Sequence, residues 1–358
     1  MKNFIKITFI LTAVFMFSGC SFDLNKLKES SVGGFLVSDG NENKWVAKNY
    51  YDEKANISGV DILTMAVDPI NPDVVYLGSK DNGIFVSDDG GNDWDKIMEF
   101  LPTKTYGIAI NPFESQTIYA TGVLGKRGKI FRTDDGGKSW LEIYSEPADG
   151  TIVISLAINK TNPQVVFAGT SGGMIIKTSD GGSTWENSYT GKSPITKIVF
   201  DEINENVIYF LAFKEGVLTT KNEGNDFEFI KIDDNNKEER KKRENFSPST
   251  IQSIVADPGN EGVAYFGTEK GMFRFSNFGN NIEEVEIIGS SKEFPIYAIA
   301  VNPKNSSEIV YAAAQAIYKT TDGGKQWSVF QLDTKKNVSI LKYNGGQPSK
   351  IYAGLREY

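Results

Sequence analysis

The 358-residue sequence predicts an all-β protein, a seven-bladed β-propeller of four-stranded antiparallel blades. Three observations carry the prediction. A nine-residue motif closing on tryptophan recurs along the chain, runs rich in Val, Ile, Tyr and Phe precede each copy, and the two ends of the array each supply half a repeat.

The motif reads VSDDGGNDW up to Trp94, RTDDGGKSW up to Trp140, KTSDGGSTW up to Trp185 and KTTDGGKQW up to Trp327. A looser copy, VSDGNENKW, closes on Trp45, and the eroded TTKNEGNDF and RFSNFGNNI close on Phe227 and Ile282. From Trp45 onward the intervals are 49, 46, 45, 42, 55 and 45 residues, and all five tryptophans of the protein close a copy.

Each copy follows three strand-like runs. In residues 59–97 these are ILTMAVDP, VVYLGS and GIFVS, with WDKI after the turn. Elsewhere the first runs are YGIAINP, VISLAINK, ITKIVFDE, IQSIVADP and IYAIAVNP. The second runs are TIYATG, VVFAGT, VIYFLA, VAYFGT and IVYAAA. Such runs between Asp, Asn, Gly and Pro turns are antiparallel sheet. A β-solenoid would need shorter coils and lacks this four-strand rhythm. GGFLVSDGNENKWVAK supplies the last two strands of a blade, and VSILKYN with KIYAGL supplies the first two. Joined, they make the seventh blade, so strands from both termini close the ring and leave no open sheet edge.

Within the motif, Gly181 and Gly182 allow the positive backbone dihedrals of a tight turn. Asp180 is expected to accept backbone N–H bonds, Thr178 to assist, and Trp185 to bury against the neighbouring sheet. Asp89, Trp94, Asp135, Trp140, Asp322 and Trp327 take the same structural roles. A calcium site at Asp88, Asp89, Asp93 and Asp95 lacks the ligand spacing and closing glutamate of an EF-hand, so no metal is expected.

The amino terminus reads as an address. Lys2 and Lys6 precede an apolar stretch from Ile7 to Phe17, then F-S-G-C ending at Cys20, the one cysteine. Residues 1–19 are expected to be a signal peptide, 20–33 a tether and 34–358 the propeller. Ser18-Gly19-Cys20 resembles the lipobox of bacterial lipoproteins. The resemblance implies lipidation of Cys20 and a membrane anchor facing outside the cytoplasm, in the cell envelope. Ser21 in place of Asp points to the outer membrane in a cell that has one, and otherwise the anchor implies the outer leaflet of the plasma membrane.

Composition removes several functions. There is no histidine, which excludes Ser-His-Asp triads, Cys-His dyads and histidine-bound metals. A net charge of −8 opposes general affinity for nucleic acid. No cofactor is expected.

The pattern S/T-x-D-G-G-x-x-W resembles the Asp-box, or bacterial neuraminidase repeat. With the lipobox, and over residues 34 to about 355, the chain resembles the photosystem II stability and assembly factors. Its propeller also resembles those of sortilin-type receptors and each half of xyloglucan-cleaving glycosidases. The resemblance implies a non-enzymatic scaffold for a protein partner or envelope complex, with a carbohydrate-active protein as the alternative. Fold alone transfers neither.

Sialidases clamp a substrate carboxylate with three arginines, whereas the six here are Arg127, Arg132, Arg240, Arg243, Arg274 and Arg356. Two of these share one charged run and two fall in third strands. A glycosidase needs two facing carboxylates. The loop acids Asp52, Glu53, Glu146, Asp149, Glu215 and Glu269 are available, and none is singled out by spacing. No catalytic residue is therefore assigned. For a partner, the insert KIDDNNKEERKKRENFSPST (231–250) offers Lys241, Lys242 and Arg243 as a basic end for an acidic surface, and Arg127 is a further candidate cation. Tyr50, Tyr51 and Phe100 could stack on sugars or pack at a loop base. All these loops belong to the face opposite the Asp-box hairpins.

Overall fold

The computed structural model describes residues 33–38, 44–52, 55–230, 246–289 and 293–358. The expected signal peptide (1–19), Cys20 and most of the expected tether (20–33) therefore lie outside the described residues. So do Lys241, Lys242 and Arg243.

Seven four-stranded antiparallel sheets form the molecule, and the propeller prediction holds. Blades 1 to 6 each run in chain order from the axis outward. Their first strands are Ile62–Val67, Thr105–Asn111, Val153–Ile158, Ile195–Phe200, Ile251–Ala256 and Ile296–Asn302. Blade 7 takes Asn337–Tyr343 and Ile351–Arg356 from one end of the chain, and Phe35–Ser38 and Trp45–Ala47 from the other. Phe35 faces Gly354 and Ser38 faces Ile351 in that closing ladder. A small hairpin, Tyr50–Asp52 with Ala55–Asn56, precedes blade 1.

Second strands are buried along their whole length in blades 1, 3, 4 and 5, because a blade is covered on both faces by its neighbours. The interior is accordingly divided. Seven apolar clusters occur among the described residues, each shared by two adjacent blades. The residue closing each motif copy packs in a different cluster. Trp94 joins Phe35 and Tyr352 of blade 7, Trp140 joins Ile97 of blade 1, and Phe227 joins Tyr189 of blade 3. Ile282, far smaller, holds the corresponding place between blades 4 and 5.

Burial of these aromatics is uneven. Trp94 is 2% exposed, stacks edge-on against Phe35 at 4.9 Å and donates from Nε1 to the Lys48 carbonyl at 2.8 Å. Trp140, Trp185 and Trp327 are half-buried, Trp185 packing against the cluster shared by blades 2 and 3. The buried Nε1 atoms of Trp140 and Trp185 have no hydrogen-bond partner.

The hairpin turn repeats with little variation. Thr178 Oγ1 accepts from the Gly182 N–H at 2.9 Å and donates to Asp180 at 2.8 Å. Asp180 Oδ1 in turn accepts from the Thr184 N–H at 2.9 Å. The same triad joins Ser87 to Asp89, Thr133 to Asp135 and Thr320 to Asp322. In the eroded copy of blade 4 Thr220 bonds Asn222, an amide that accepts as the carboxylates do. Gly181 has φ of +70° and Gly182 of +94°, and the residues in Gly181's place in the eroded copies, Glu223 and Phe278, adopt +55° and +56°. Those two residues bear the strain that glycine avoids.

Candidate functional site in the central channel

Aligning the seven first strands by their pairing with the second strands brings out a pattern at the axis. Each strand carries a bulge at its start, as between Ile62 and Thr64 or Ile195 and Lys197. Two positions after the second bulge residue, six blades present Ala66, Ala109, Ala157, Val199, Val255 and Ala300. Blade 7 presents Lys342. At the bulge itself six blades present Thr64, Gly107, Ser155, Ser253, Ala298 and Ile340, and blade 4 presents Lys197. Small residues are the rule there because seven strands converge on one axis. Two lysines break it.

A further position is always Asp or Asn: Asp68, Asn111, Asn159, Asp201, Asp257, Asn302 and Asn344. These close the first-to-second strand turns. Asp68 accepts from the Ile70 N–H at 2.8 Å, Asp201 from Asn204 at 2.9 Å and Asn344 from Gln347 at 2.8 Å. They are turn-formers at the hairpin end of the channel.

The channel encloses about 1120 Å³ and is lined by Lys160, Lys197, Lys342, Arg356, Asp68 and Glu202 among mostly aliphatic side chains. Its two acids are committed. Asp68 caps its own turn and accepts from Ser115 at 2.8 Å, and Glu202 is ion-paired with Lys160. Lys197 and Lys342 have no acidic side chain within ion-pair distance among the described residues, nor has Arg356. Blades 4 and 7 are as far apart as a seven-membered ring permits, so the two lysines reach in from opposing walls. Burial, then the charge of Lys342, pulls the Lys197 ammonium down to about 8. Lys342 stays in contact with channel water; burial and Lys160 lower it, with Glu202 opposing.

At the mouth away from the hairpins, Tyr297 stacks on Tyr358 at 4.1 Å and 19°. The Arg356 guanidinium lies over the Tyr358 ring at 4.0 Å, and its buried Nε has no partner. Tyr106 and Phe213 complete this rim. Beyond it the same face exposes Met98, Leu101, Leu124 and Phe294, whereas the hairpin face exposes Ile70, Phe113 and Ile203.

The sequence-derived candidates distribute as follows. Asp89, Asp135, Asp180 and Asp322 with their tryptophans are on the hairpin face, away from this mouth. Arg127 opens the third strand of blade 2 and pairs with Asp149 at 2.8 Å, so it is not a free cation. The pair is exposed and contributes at most about 1 kcal/mol. Phe100 packs on Phe131 and Trp140, and Tyr51 on Phe85; Tyr50 alone of the three is exposed. Glu215 and Glu269 are exposed. Glu146 is 1% exposed, accepts from the Tyr144 hydroxyl at 3.2 Å, and burial raises its pKa with no other carboxylate contributing. Glu53 and the side chain of Asp52 lie outside the described residues. No cluster of metal-binding type occurs among the described residues.

Lys197 and Lys342 were within runs read only as strands. Their signal is visible in the aligned first strands, as charge where every sister position is small or apolar.

No protein-family profile matches the chain. An oligoxyloglucan-reducing end-specific xyloglucanase of Emericella nidulans is 31% identical over 105 residues, 28% of this chain and 13% of that protein. A vacuolar protein sorting/targeting protein 10 of Fusarium vanettenii is 35% identical over 72 residues, 20% of this chain and 5% of that protein. The chain thus spans a small part of the relatives it matches. Among solved structures, the GH74 xyloglucanase of Xanthomonas campestris superposes with a TM-score of 0.67 at 13% identity, over 82% of this chain and 51% of the enzyme. YCF48 bound to a D1 peptide superposes with 0.61 at 15% identity, over 83% of this chain and 93% of YCF48. YCF48 of Cyanidioschyzon merolae gives 0.62 at 15%, over 82% and 95%. At these identities the structural likeness establishes the seven-bladed propeller fold.

Proposed function

We propose that the protein is a lipid-anchored scaffold of the cell envelope, held at Cys20, whose propeller binds a protein partner with the face opposite its Asp-box hairpins. The observation that carries this reading is the asymmetry of the two faces. Both faces expose some apolar side chains, but the hairpin face is hydrogen-bonded upon itself, whereas the opposite mouth alone combines them with a tyrosine stack and the Arg356 guanidinium, which has no acidic partner among the described residues. A solved relative in fold, YCF48, holds a D1 peptide.

Affinity capture from membranes tests it. Leu101→Asp and Phe294→Asp are expected to abolish recovery of a partner, with Ile203→Asp on the hairpin face as the neutral control. Equal recovery with all three rejects the assigned face. Replacing Cys20 by Ala should move the protein from the membrane to the soluble fraction.

The second reading is glycan binding or hydrolysis, favoured by the local match to fungal xyloglucanases. Glu146 has the buried environment of a general acid, yet nothing in its surroundings acts as the second carboxylate that hydrolysis requires. Turnover of xyloglucan oligosaccharides that disappears in Glu146→Gln would establish this reading and displace the first.

A further inference from the structure

From the channel we infer that the partner contributes an extended acidic peptide segment, threaded from the tyrosine-lined mouth, whose carboxylates are bound by Lys197 and Lys342. The inference rests on the scaffold reading and specifies the chemistry of its partner.

Charge is the first argument. The chain as a whole is at −8, yet its channel is lined by four cations and two acids; Lys160 and Glu202 cancel as an ion pair, leaving Lys197, Lys342 and Arg356 against Asp68, which accepts from the uncharged Ser115 hydroxyl and its own turn. Ammonium groups without acidic partners on opposing walls of one channel repel each other, Lys197 half-buried and Lys342 exposed to the lumen. An anion between them offsets that repulsion. Such uncompensated charge at sister positions otherwise filled by small or apolar residues is what a site looks like before its ligand arrives.

Size and shape argue for a chain segment over a simple ion. A volume near 1120 Å³ leaves a lone phosphate or acetate mostly surrounded by water. First strands of six or seven residues make the channel about 20 Å deep, the span of about six extended residues. The wall is aliphatic between the cations, which suits a peptide whose side chains alternate apolar and acidic. Arg356, with its unpartnered Nε at the rim, is placed to meet the acidic segment first and raise its rate of entry.

Fluorescence polarisation with a labelled octapeptide of alternating Gly and Glu, beside its Gly-Gln analogue, tests the inference on the full propeller. The acidic peptide should bind and the neutral one should not. Lys197→Gln with Lys342→Gln should weaken binding by about tenfold or more. Lys325→Gln, on a hairpin far from the channel, should leave it unchanged. The double variant should melt no lower than the parent, which separates lost binding from lost fold. Equal affinity for both peptides, insensitivity to the double variant, or displacement by inorganic phosphate at the peptide's own affinity overturns the inference. Tighter binding of an oligogalacturonate than of the peptide overturns it in favour of an acidic glycan. If the double variant still captures the partner from membranes, the channel assignment falls and the scaffold reading stands.

Discussion

At the scale of residues, the same carboxylates that look like ligands in the sequence are turn-formers in the fold. Hydrogen bonds from Ser139 and Thr133 hold Asp135 down to about 2, and bonds from Thr184 and Thr178 hold Asp180 there as well. A folded-state pKa below the unfolded value near 3.8 means stability that is fully present above that value. It is lost as pH falls through about 4 toward 2. Replacing Asp135 and Asp180 by Asn should therefore flatten the dependence of melting temperature on pH in that window, with little change at pH 7. Asn222 already performs the same bonding without titrating. An acid limb as steep in the variant as in the parent would show that these bonds do not act through the charge.

Lysine at the axis teaches the opposite lesson. Nothing about the sequence KIVF marks Lys197 as different from any strand lysine, since a lysine at a strand edge is ordinarily solvated. It becomes conspicuous only when seven strands are superposed about one axis and the sister side chains are Thr, Gly, Ser, Ser, Ala and Ile.

At the scale of elements, the blade is the unit and the hairpin aromatic is its fastening to the next. The seven clusters lie between blades, so removing an aromatic weakens a joint shared by two sheets. Trp94→Ala should lower unfolding free energy by about 3–5 kcal/mol in urea, the range for a fully buried large side chain. Trp185→Ala, half-buried and with an unpartnered Nε1, should lower it by about half as much. Equal losses would mean that burial does not govern the joint. The eroded copies are consistent with this order: where Ile282 replaces tryptophan, Phe266, Phe273 and Phe275 fill the cluster in its stead.

At the scale of the whole molecule, ring closure dominates. Blade 7 draws two strands from each end of the propeller, and Tyr352 from one end packs on Phe35 from the other at 5.4 Å. Removing residues 349–358 deletes the strand Ile351–Arg356, on which Phe35–Ser38 pairs. The expected result is loss of a single cooperative unfolding transition and exposure of open sheet edges, read by calorimetry and light scattering. A truncated protein that melts like the parent would refute closure as the source of cooperativity.

Much of this fold was readable in advance, because a repeat states its own period and a strand states its own alternation. Turn chemistry at Thr178, Asp180 and Gly182 is local, so nine residues suffice to specify it. The depth to which Trp185 is buried is not local, since it depends on how far the neighbouring blade extends over it. The pairing of Arg127 with Asp149 also escaped the sequence, because it joins groups twenty-two positions apart across a loop. By itself, the order of residues determined the number of blades, their closure and the hairpin turns. Only the tertiary structure decided where charge would go unpaired, because the channel exists only once seven first strands, spread over some 280 residues, are brought around a single axis.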